Sequence, residues 1–358
     1  MVDFHGYELP IWYSSIQEEH LATRNSAGVF DVSHMGLFRF QGVDVRAWLS
    51  SVSTQEYMKF QPGRCGYTHF LDHMGNIIDD MIFAVSGENE VLGVPNSTMV
   101  KVVMDWLTSN LPTDGSVVIE DLSNQTSIIA LQGPNAGKIV EYVLGKENAV
   151  KRFRCQEIME NELGLSGWIQ GTGYTGETGV EIFILNEDAP KLWDELISHP
   201  DVTPVGLGAR DTLRLEKGYL LSGQDFLWPG ITEEIGGFPE GFLARTSSQT
   251  AVPFGLDLDH EFIGRGALVK SMTSDSKLWG LECLERGPSP RPGHRVMSGP
   301  EESSEVIGYI TSGGPSPSKG MIGIALGYLR KCKDGDEVWI QSSSRRRVRS
   351  EVKRPPFI

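Results

Sequence analysis

The chain has 358 residues, of which 39% are hydrophobic and 22% are charged, and its formal net charge is −15 at pH 7. A chain of this length can form two or three domains with buried cores, and this composition excludes a disordered protein. No apolar run approaches the roughly 18 residues that a membrane helix needs, and the negative charge disfavours general binding to nucleic acid or to acidic membranes.

The N-terminus and the cysteines indicate a reduced, cytoplasmic protein. Residues 1–15 contain neither the basic region nor the apolar region of a secretory signal. The cysteines lie far apart and have no C-x-x-C spacing, which argues against a zinc site and a disulfide framework; they are Cys65, Cys155, Cys283 and Cys332. His69 and His73 fall in a predicted strand and turn, where they cannot share a helical face, so we predict no metal site.

The first half of the chain predicts helices and paired strands. Residues 14–27 have the apolar spacing of an amphipathic helix capped by Ser14 and Ser15. Turn residues and apolar runs then predict a hairpin turn at 72–75 and strands at 36–41, 66–71, 77–85 and 90–94. Further helices are predicted at 99–111 and 134–144.

A glycine-rich segment at 171–182, GTGYTGETGVEI, matches the G-x-G-x-x-G pattern of dinucleotide loops. Such a loop must open a helix whose N-terminal amides hold a pyrophosphate, whereas the residues after Gly179 alternate as in a strand. This strand argues against a nicotinamide enzyme. The segment has no cation but supplies Tyr174 as a stacking surface and Glu177 and Glu181 as acceptors, so we expect it to bind a flat heterocycle that donates hydrogen bonds.

The second half predicts two helices, a long loop and a terminal β-domain. The helices are expected at 189–198 and 209–220, and the Pro- and Gly-rich stretch 227–249 is expected to be a long loop. From Phe254 onward we expect short strands that form a small barrel or sandwich. We place the main domain boundary near residue 270.

Two aspartates within an apolar strand are candidate site residues. Asp79 and Asp80 follow the predicted hairpin turn and should point to opposite faces, so only one can face a given pocket. A carboxylate in such apolar surroundings needs a partner or a function. For Asp79, an alternative is a structural role in which it accepts hydrogen bonds from turn amides.

Two arginines in GLGARDTLRLEKGYLLSGQD lie one helical turn apart, at Arg210 and Arg214. A guanidinium near a glycine-rich turn is suited to bidentate binding of a carboxylate. For Arg214, an internal ion pair with Glu181 or Glu216 is an equal alternative. For Arg210, we expect contact with a ligand.

Taken in order, eight segments resemble the glycine cleavage system T-protein (aminomethyltransferase) and its folate-dependent superfamily. They are MVDFHGYELPIWY, AGVFDVSHMG, GNIIDDMI, ALQGPNA, TGYTGETGVEI, GLGARDTLRLEKGYLLSGQD, EFIGRGAL and ITSGGPSPSKGMIGIALGYL, and together they cover almost the whole chain. The resemblance implies an α+β fold with mostly antiparallel sheets and packed helices. It also implies two interwoven subdomains in 1–270 and a β-barrel domain in 271–358.

The resemblance also implies a folate site. Asp80 matches the family's essential aspartate, which lies beside the reactive nitrogens of tetrahydrofolate. The other matching positions are folate contacts, namely Met35, Tyr67, Asn96, Tyr174, Glu181 and Arg210. Glu181 would accept hydrogen bonds from the pterin amine and ring N–H, and Arg210 would contact the carboxylate tail or order the pocket.

In the reaction that the resemblance implies, an aminomethyl group on the lipoyl arm of H-protein loses ammonia, and its carbon passes to tetrahydrofolate as a methylene bridge. Asp80 would orient the folate nitrogen and stabilise the developing positive charge. Folate accepts the carbon, so no metal or redox cofactor is needed. The implied partners are lipoylated H-protein and tetrahydrofolate, with no nucleic acid and no membrane.

Two other kinds of superfamily member are possible alternatives from the resemblance alone. A demethylase would keep the folate residues and take a methyl group from a small sulfonium, amine or aryl ether. The stretch 227–249 is longer than its counterpart in the family and could reshape the donor entrance. A folate-binding protein of the iron-sulfur maturation type would carry a cysteine in the segment 217–224, which here reads KGYLLSGQ. The sequence therefore argues strongly against this second alternative.

Overall fold

The computed structural model describes residues 1–4, 6–231 and 236–358. Residue 5, within the first family-like segment, and residues 232–235, within the predicted long loop, lie outside the described residues. The described part of the chain contains seven α-helices, which are α1 (Ile16–Asn25), α2 (Val45–Val52), α3 (Val100–Ser109), α4 (Ala136–Leu144), α5 (Ala189–Ser198), α6 (Leu207–Lys217) and α7 (Arg265–Ser271). Within the same ranges, every helix is too short or too polar to span a bilayer.

Nineteen strands accompany these helices in the described ranges. They are β1 (Val2–Phe4), β2 (Tyr7–Leu9), β3 (Ala27–Asp31), β4 (Phe38–Gln41), β5 (Arg64–Leu71), β6 (Ile77–Gly87), β7 (Glu90–Pro95), β8 (Val118–Asp121), β9 (Thr126–Gln132), β10 (Cys155–Glu157), β11 (Gly167–Gln170), β12 (Gly179–Leu185), β13 (Val202–Pro204), β14 (Ser276–Cys283), β15 (Arg295–Met297), β16 (Val306–Ser316), β17 (Ile322–Arg330), β18 (Glu337–Ser343) and β19 (Arg346–Lys353).

The chain divides into two compact units, of which the first comprises Met1–Phe70, Asp79–Arg210 and Phe254–Ile263. Its six-stranded sheet has the order β10-β11-β12-β9-β3-β13. In this sheet β3 and β13 are parallel, and the other neighbouring pairs are antiparallel. The apolar side chains of α4 and α5 recur at helical spacing and pack on this sheet. Its core includes Val29, Leu131, Ile139, Val140, Ile169, Ile182, Leu192 and Leu196.

A five-stranded sheet with the order β5-β6-β7-β4-β8 carries the two aspartates predicted from the sequence. Its β4–β7, β4–β8 and β6–β7 pairs are antiparallel. Residue Asp72 begins the turn that joins β5 to β6, where its amide donates to Asn76 at 3.0 Å. The predicted hairpin is confirmed, because β5 and β6 are neighbours in the sheet on either side of this turn.

The second unit comprises Leu71–Ile78, Asp211–Pro253 and Gly264–Ile358. It contains a closed barrel with the strand order β14-β17-β16-β15-β18-β19, which β14 closes by pairing with both β17 and β19. Closure leaves no unpaired sheet edge. The barrel core includes Leu281, Val296, Ile310, Ala325, Leu329, Val338 and Val348. The predicted α+β class, with antiparallel sheets and a C-terminal barrel, is therefore confirmed.

The periodic helices were predictable, whereas two short helices were not. The expectation of strands from Phe254 onward is wrong up to residue 275, because α7 lies there and β14 begins only at Ser276. Helix α7 has seven residues, so its apolar pattern is too short to reveal a period. Helix α2 was not predicted from the sequence either. The described residues of 227–249 contain no helix or strand, as expected of a loop.

Candidate functional site

Asp80 is fixed at both carboxylate oxygens by side chains from the neighbouring strands. Tyr67 on β5 donates from Oη to Asp80 Oδ2 at 2.6 Å. Asn96, directly after β7, donates from Nδ2 to Asp80 Oδ1 at 2.7 Å. Burial raises the pKa of Asp80, while the hydrogen bonds from Tyr67 and Asn96 act in the opposite direction. The result is an oriented carboxylate in a poorly solvated position.

Asp79 lies beside this carboxylate and is 0% exposed. The Nδ2 atom of Asn96 also reaches Asp79 Oδ1, at 3.0 Å. One amide thus contacts both carboxylates, and the expectation that only one of the two aspartates faces a given pocket stays a prediction. Asn96 follows the end of β7, and its side chain is long enough to reach both carboxylates.

The ring of Tyr67 is held by contacts on several sides. Its Oη lies 3.0 Å from His69 Nε2, and its ring packs edge-on to Phe254 with centroids 5.5 Å apart. Gly255 has φ +79°, and a Cβ there would lie 2.6 Å from Tyr67 Cδ1. Burial, followed by the charge of Asp80, raises the pKa of Tyr67 well above its usual range. Tyr67 thus stays a protonated donor at physiological pH.

The glycine-rich segment is followed by strand β12, as predicted, and presents Glu181 from that strand. Thr172 Oγ1 donates to Glu181 Oε2, and Gln170 Nε2 donates to the same oxygen at 3.3 Å. Glu181 Oε1 accepts no hydrogen bond from the described residues. Glu181 therefore combines a fixed orientation with an open acceptor. Glu177 differs from the expectation, because Arg24 Nη1 pairs with its carboxylate at 2.8 Å.

Arg210 stacks on Tyr174, with the guanidinium carbon 4.9 Å from the ring centroid. Burial lowers the pKa of Arg210, while the negative charge of Glu181 opposes that shift. Within the part of the chain that the structure describes, the guanidinium forms no hydrogen bond or ion pair. It borders a small pocket that Tyr13 and Asp31 also line. The arrangement offers a planar cation beside an aromatic ring, which suits a ligand carboxylate.

Arg214 has the internal role that the sequence left as an alternative. It is 1% exposed and pairs with Asp225 at 3.0 Å and with Asp211 at 2.8 Å. Its Nη2 also donates to Ser312 at 2.9 Å. These acidic partners differ from Glu181 and Glu216, which the sequence suggested, because the chain brings Asp225 back to α6 after a turn that the periodicity does not specify.

The seven residues implied by the resemblance are all partly buried, as residues that line a ligand site would be. Direct hydrogen bonds join Asp80, Tyr67 and Asn96. The Arg210 guanidinium lies over the ring of Tyr174, and the negative charge of Glu181 acts on Arg210. Met35 belongs to a segment whose Gly36 amide donates to Pro95, the residue before Asn96, at 3.2 Å.

Sequence reasoning missed His69, Gln170 and Thr172 as parts of this site. His69 is two residues from Tyr67 on one strand, so strand periodicity could have placed both on one face. Gln170 lies opposite Glu181 in the antiparallel register. That pairing depends on which strands adjoin, and a single sequence does not specify it.

One group of possible metal ligands occurs among the described residues, although the sequence predicted none. Donor atoms of Glu56, Asp257 and His260 lie within 4.8 Å of one another. Lys59 Nζ contacts both carboxylates at 2.7 Å and already neutralises part of their charge. We therefore assign no metal to this group.

Known proteins resemble the chain over its whole length. The family model described as GCVT N-terminal domain matches residues 1–228, and the one described as glycine cleavage T-protein C-terminal barrel domain matches residues 277–358. The aminomethyltransferases of Bacillus cereus and Bacillus mycoides are each 36% identical to it, over 99% of this chain and 93% of each relative. The crystal structure of glycine cleavage system aminomethyltransferase T from Bartonella henselae is 26% identical, with a TM-score of 0.86 over 100% of this chain and 93% of that one.

Proposed function

Because this chain belongs to the glycine cleavage T-protein family and has its aminomethyltransferase function, we propose that its site residues bind tetrahydrofolate as the one-carbon acceptor. Folate use is implied by the family, and three features of the site support it. Glu181 has an open acceptor oxygen for a donor-bearing ring, Tyr174 offers an aromatic face, and Arg210 offers a cation for a carboxylate tail. These groups fit a pterin head and an acidic tail.

Asp80 is the proposed catalytic residue. Its two oxygens are oriented by Tyr67 and Asn96, so the carboxylate needs little rearrangement to act on a bound nitrogen. We propose that Asp80 orients the acceptor nitrogen and stabilises the positive charge that develops as ammonia leaves. This work is electrostatic and positional, and Asp80 need not remove a proton. The doubly anchored Asp80 carboxylate is the observation that carries the proposal.

The proposed donor is the aminomethyl group on the lipoyl arm of H-protein, which binds transiently. Transfer of its carbon to tetrahydrofolate yields 5,10-methylenetetrahydrofolate and ammonia. We propose that this reaction takes place in the cytoplasm, since all four cysteines are unpaired thiols. Bound folate supplies the carbon-accepting chemistry, and the described residues Met35, Tyr67 and Asn96 contribute to its binding surface.

The test is a product assay with purified protein. It is incubated with tetrahydrofolate and aminomethylated H-protein, and in parallel with small sulfonium, amine and aryl ether methyl donors. Methylenetetrahydrofolate and ammonia from the first mixture support the proposal. Methyltetrahydrofolate from the second mixture, with no product from the first, would assign a demethylase instead.

A further inference from the structure

We propose that His69 is a positioning residue for Asp80 and acts through the hydroxyl of Tyr67. The inference rests on the proposed function, in which Asp80 is the catalytic carboxylate. The three side chains form one line of contacts, with 3.0 Å from His69 Nε2 to Tyr67 Oη and 2.6 Å from Tyr67 Oη to Asp80 Oδ2.

The direction of this line follows from counting protons. A tyrosine hydroxyl has one proton to donate and can accept hydrogen bonds at its oxygen. When Asp80 is ionised it can only accept, so the proton of Tyr67 lies toward Asp80. The contact with His69 must then be a hydrogen bond that Tyr67 accepts, and His69 must carry its proton on Nε2.

The surroundings keep His69 neutral and in place. It is 2% exposed, and burial lowers its pKa to about 3. Its backbone is fixed by Thr54, because His69 N donates to Thr54 Oγ1 at 3.0 Å and Thr54 N donates to His69 O at 3.1 Å. The Thr54 hydroxyl in turn donates to Gly255 O at 2.6 Å. These hydrogen bonds hold the imidazole beside Tyr67 within the first unit.

A neutral donor at this position has a defined effect on Asp80. By donating to Tyr67, His69 polarises the hydroxyl and strengthens its hydrogen bond to the carboxylate. It also prevents Tyr67 from turning its proton away. The other titratable groups that act on Tyr67 are Asp79 and Tyr174, and both raise its pKa. His69 is therefore a neutral hydrogen-bond donor to Tyr67, whose other titratable neighbours are acidic groups.

The tautomer of His69 can be measured directly by ¹⁵N-resolved NMR of the imidazole in the protein without folate at pH 7.5. The expected result is a neutral ring with the proton on Nε2. A proton on Nδ1, or an imidazolium, would overturn the proposal. This readout does not depend on turnover, so it stays informative even if the product assay fails.

Kinetics of three variants complete the test. We expect His69→Leu to lower kcat by about 10-fold, with a smaller change in KM for tetrahydrofolate, since one hydrogen bond in a charged network is lost. The acid limb of its pH profile should move to higher pH because the Asp80 carboxylate is less stabilised. His69→Gln keeps a donor and should recover most of the lost rate, while His73→Leu, in an exposed turn, should match the unchanged protein.

Two kinetic outcomes separate the possible failures. Unchanged kcat and an unchanged pH profile in His69→Leu, in a protein that Asp80→Asn inactivates, would overturn the role of His69 and leave the proposed function standing. A protein in which Asp80→Asn has full activity would remove Asp80 from the mechanism, and the role of His69 would be overturned with it.

Discussion

Tyr67 Oη lies 2.6 Å from Asp80 Oδ2, and this hydrogen bond joins neighbouring strands of one sheet. Both residues are partly buried, so water has little access to this hydrogen bond. A hydrogen bond to a charged group in such a place is stronger than one between neutral groups. Tyr67 therefore both orients Asp80 and favours its ionised form.

Removing the Tyr67 hydroxyl should impair turnover through Asp80. We expect Tyr67→Phe to lower kcat about 10-fold at neutral pH, because the carboxylate loses a charge-assisted hydrogen bond. The pKa of Asp80 should rise further, since the hydrogen bond from Tyr67 lowers it, and the acid limb of the pH profile should shift upward. Steady-state kinetics from pH 5 to 9 measure both effects. Tyr142→Phe, at a ring that is 73% exposed, is the control; equal profiles for both variants would contradict the assignment.

Asp80→Asn should abolish turnover and stabilise the fold. We expect a loss of about 100-fold or more in kcat, in the range found for the loss of a preorganised electrostatic group. The pKa of Asp80 is raised in the folded chain, so its ionisation destabilises the fold as pH rises through that pKa. The melting temperature of Asp80→Asn should therefore exceed that of the unchanged protein at pH 8, and the gap should close toward acidic pH.

Calorimetry at several pH values measures this gap. Asp105→Asn is the control, because Asp105 is exposed and pairs with Lys101 on the surface of α3. It should show no pH-dependent gain in melting temperature. A melting temperature for Asp80→Asn below that of the unchanged protein at pH 8 would show that the ionised carboxylate stabilises the fold.

Arg210 is expected to contribute to folate binding more than to chemistry. We expect Arg210→Met to raise KM for tetrahydrofolate about 10- to 100-fold, because a charge-assisted contact with the carboxylate tail is lost, and to leave kcat nearly unchanged. Arg210→Lys should restore only part of the affinity, since an ammonium lacks the planar fork that stacks on Tyr174. Arg345→Met, at an exposed position, is the control. An unchanged KM in Arg210→Met would exclude the contact.

Two buried arginines of the second unit should respond differently to the same substitution. Arg214→Met leaves Asp225 buried without its cation, so we expect a loss of about 3–5 kcal/mol in the free energy of unfolding. Arg245 instead lies over the rings of Phe242 and Tyr328, 4.2 and 3.8 Å from their centroids, and its Nε and Nη2 have no hydrogen-bond partner among the described residues. Arg245→Met should cost less than about 2 kcal/mol, the scale of a desolvated cation–π contact.

Urea denaturation followed by circular dichroism compares these two variants. Arg349→Met, which removes an exposed ion pair with Glu337, should change stability little. An equal loss of stability in Arg214→Met and Arg245→Met would contradict this prediction. It would show that the buried ion pair with Asp225 does not make Arg214 more important to stability than Arg245.

The sequence predicts most local structure of this chain and less of its long-range pairing. Helices α1, α3 and α5 were predictable because their apolar residues recur with helical spacing and their ends carry capping residues or prolines. The strand after the glycine loop was predictable from its alternation, and this excluded a phosphate loop. Family motifs supplied the seven site positions. All of these features are encoded in residues that are close together in the sequence.

The side-chain partners that were not predicted depend on how the chain folds back on itself. Glu177 was expected to face a ligand, yet it pairs with Arg24, which is 153 positions away. Arg214 has Asp225 as a partner because a turn reverses the chain after α6, and apolar periodicity does not encode that turn. The domain boundary near residue 270 stays a prediction, and limited proteolysis of the whole chain tests it.

The most direct test of the central claim is a crystal structure of the protein with a stable reduced folate. We expect the pteridine within hydrogen-bond distance of Asp80 and Glu181, and the carboxylate tail directed toward Arg210. Clear density for the folate at another place on the protein would contradict the account, as would calorimetry that detects no binding.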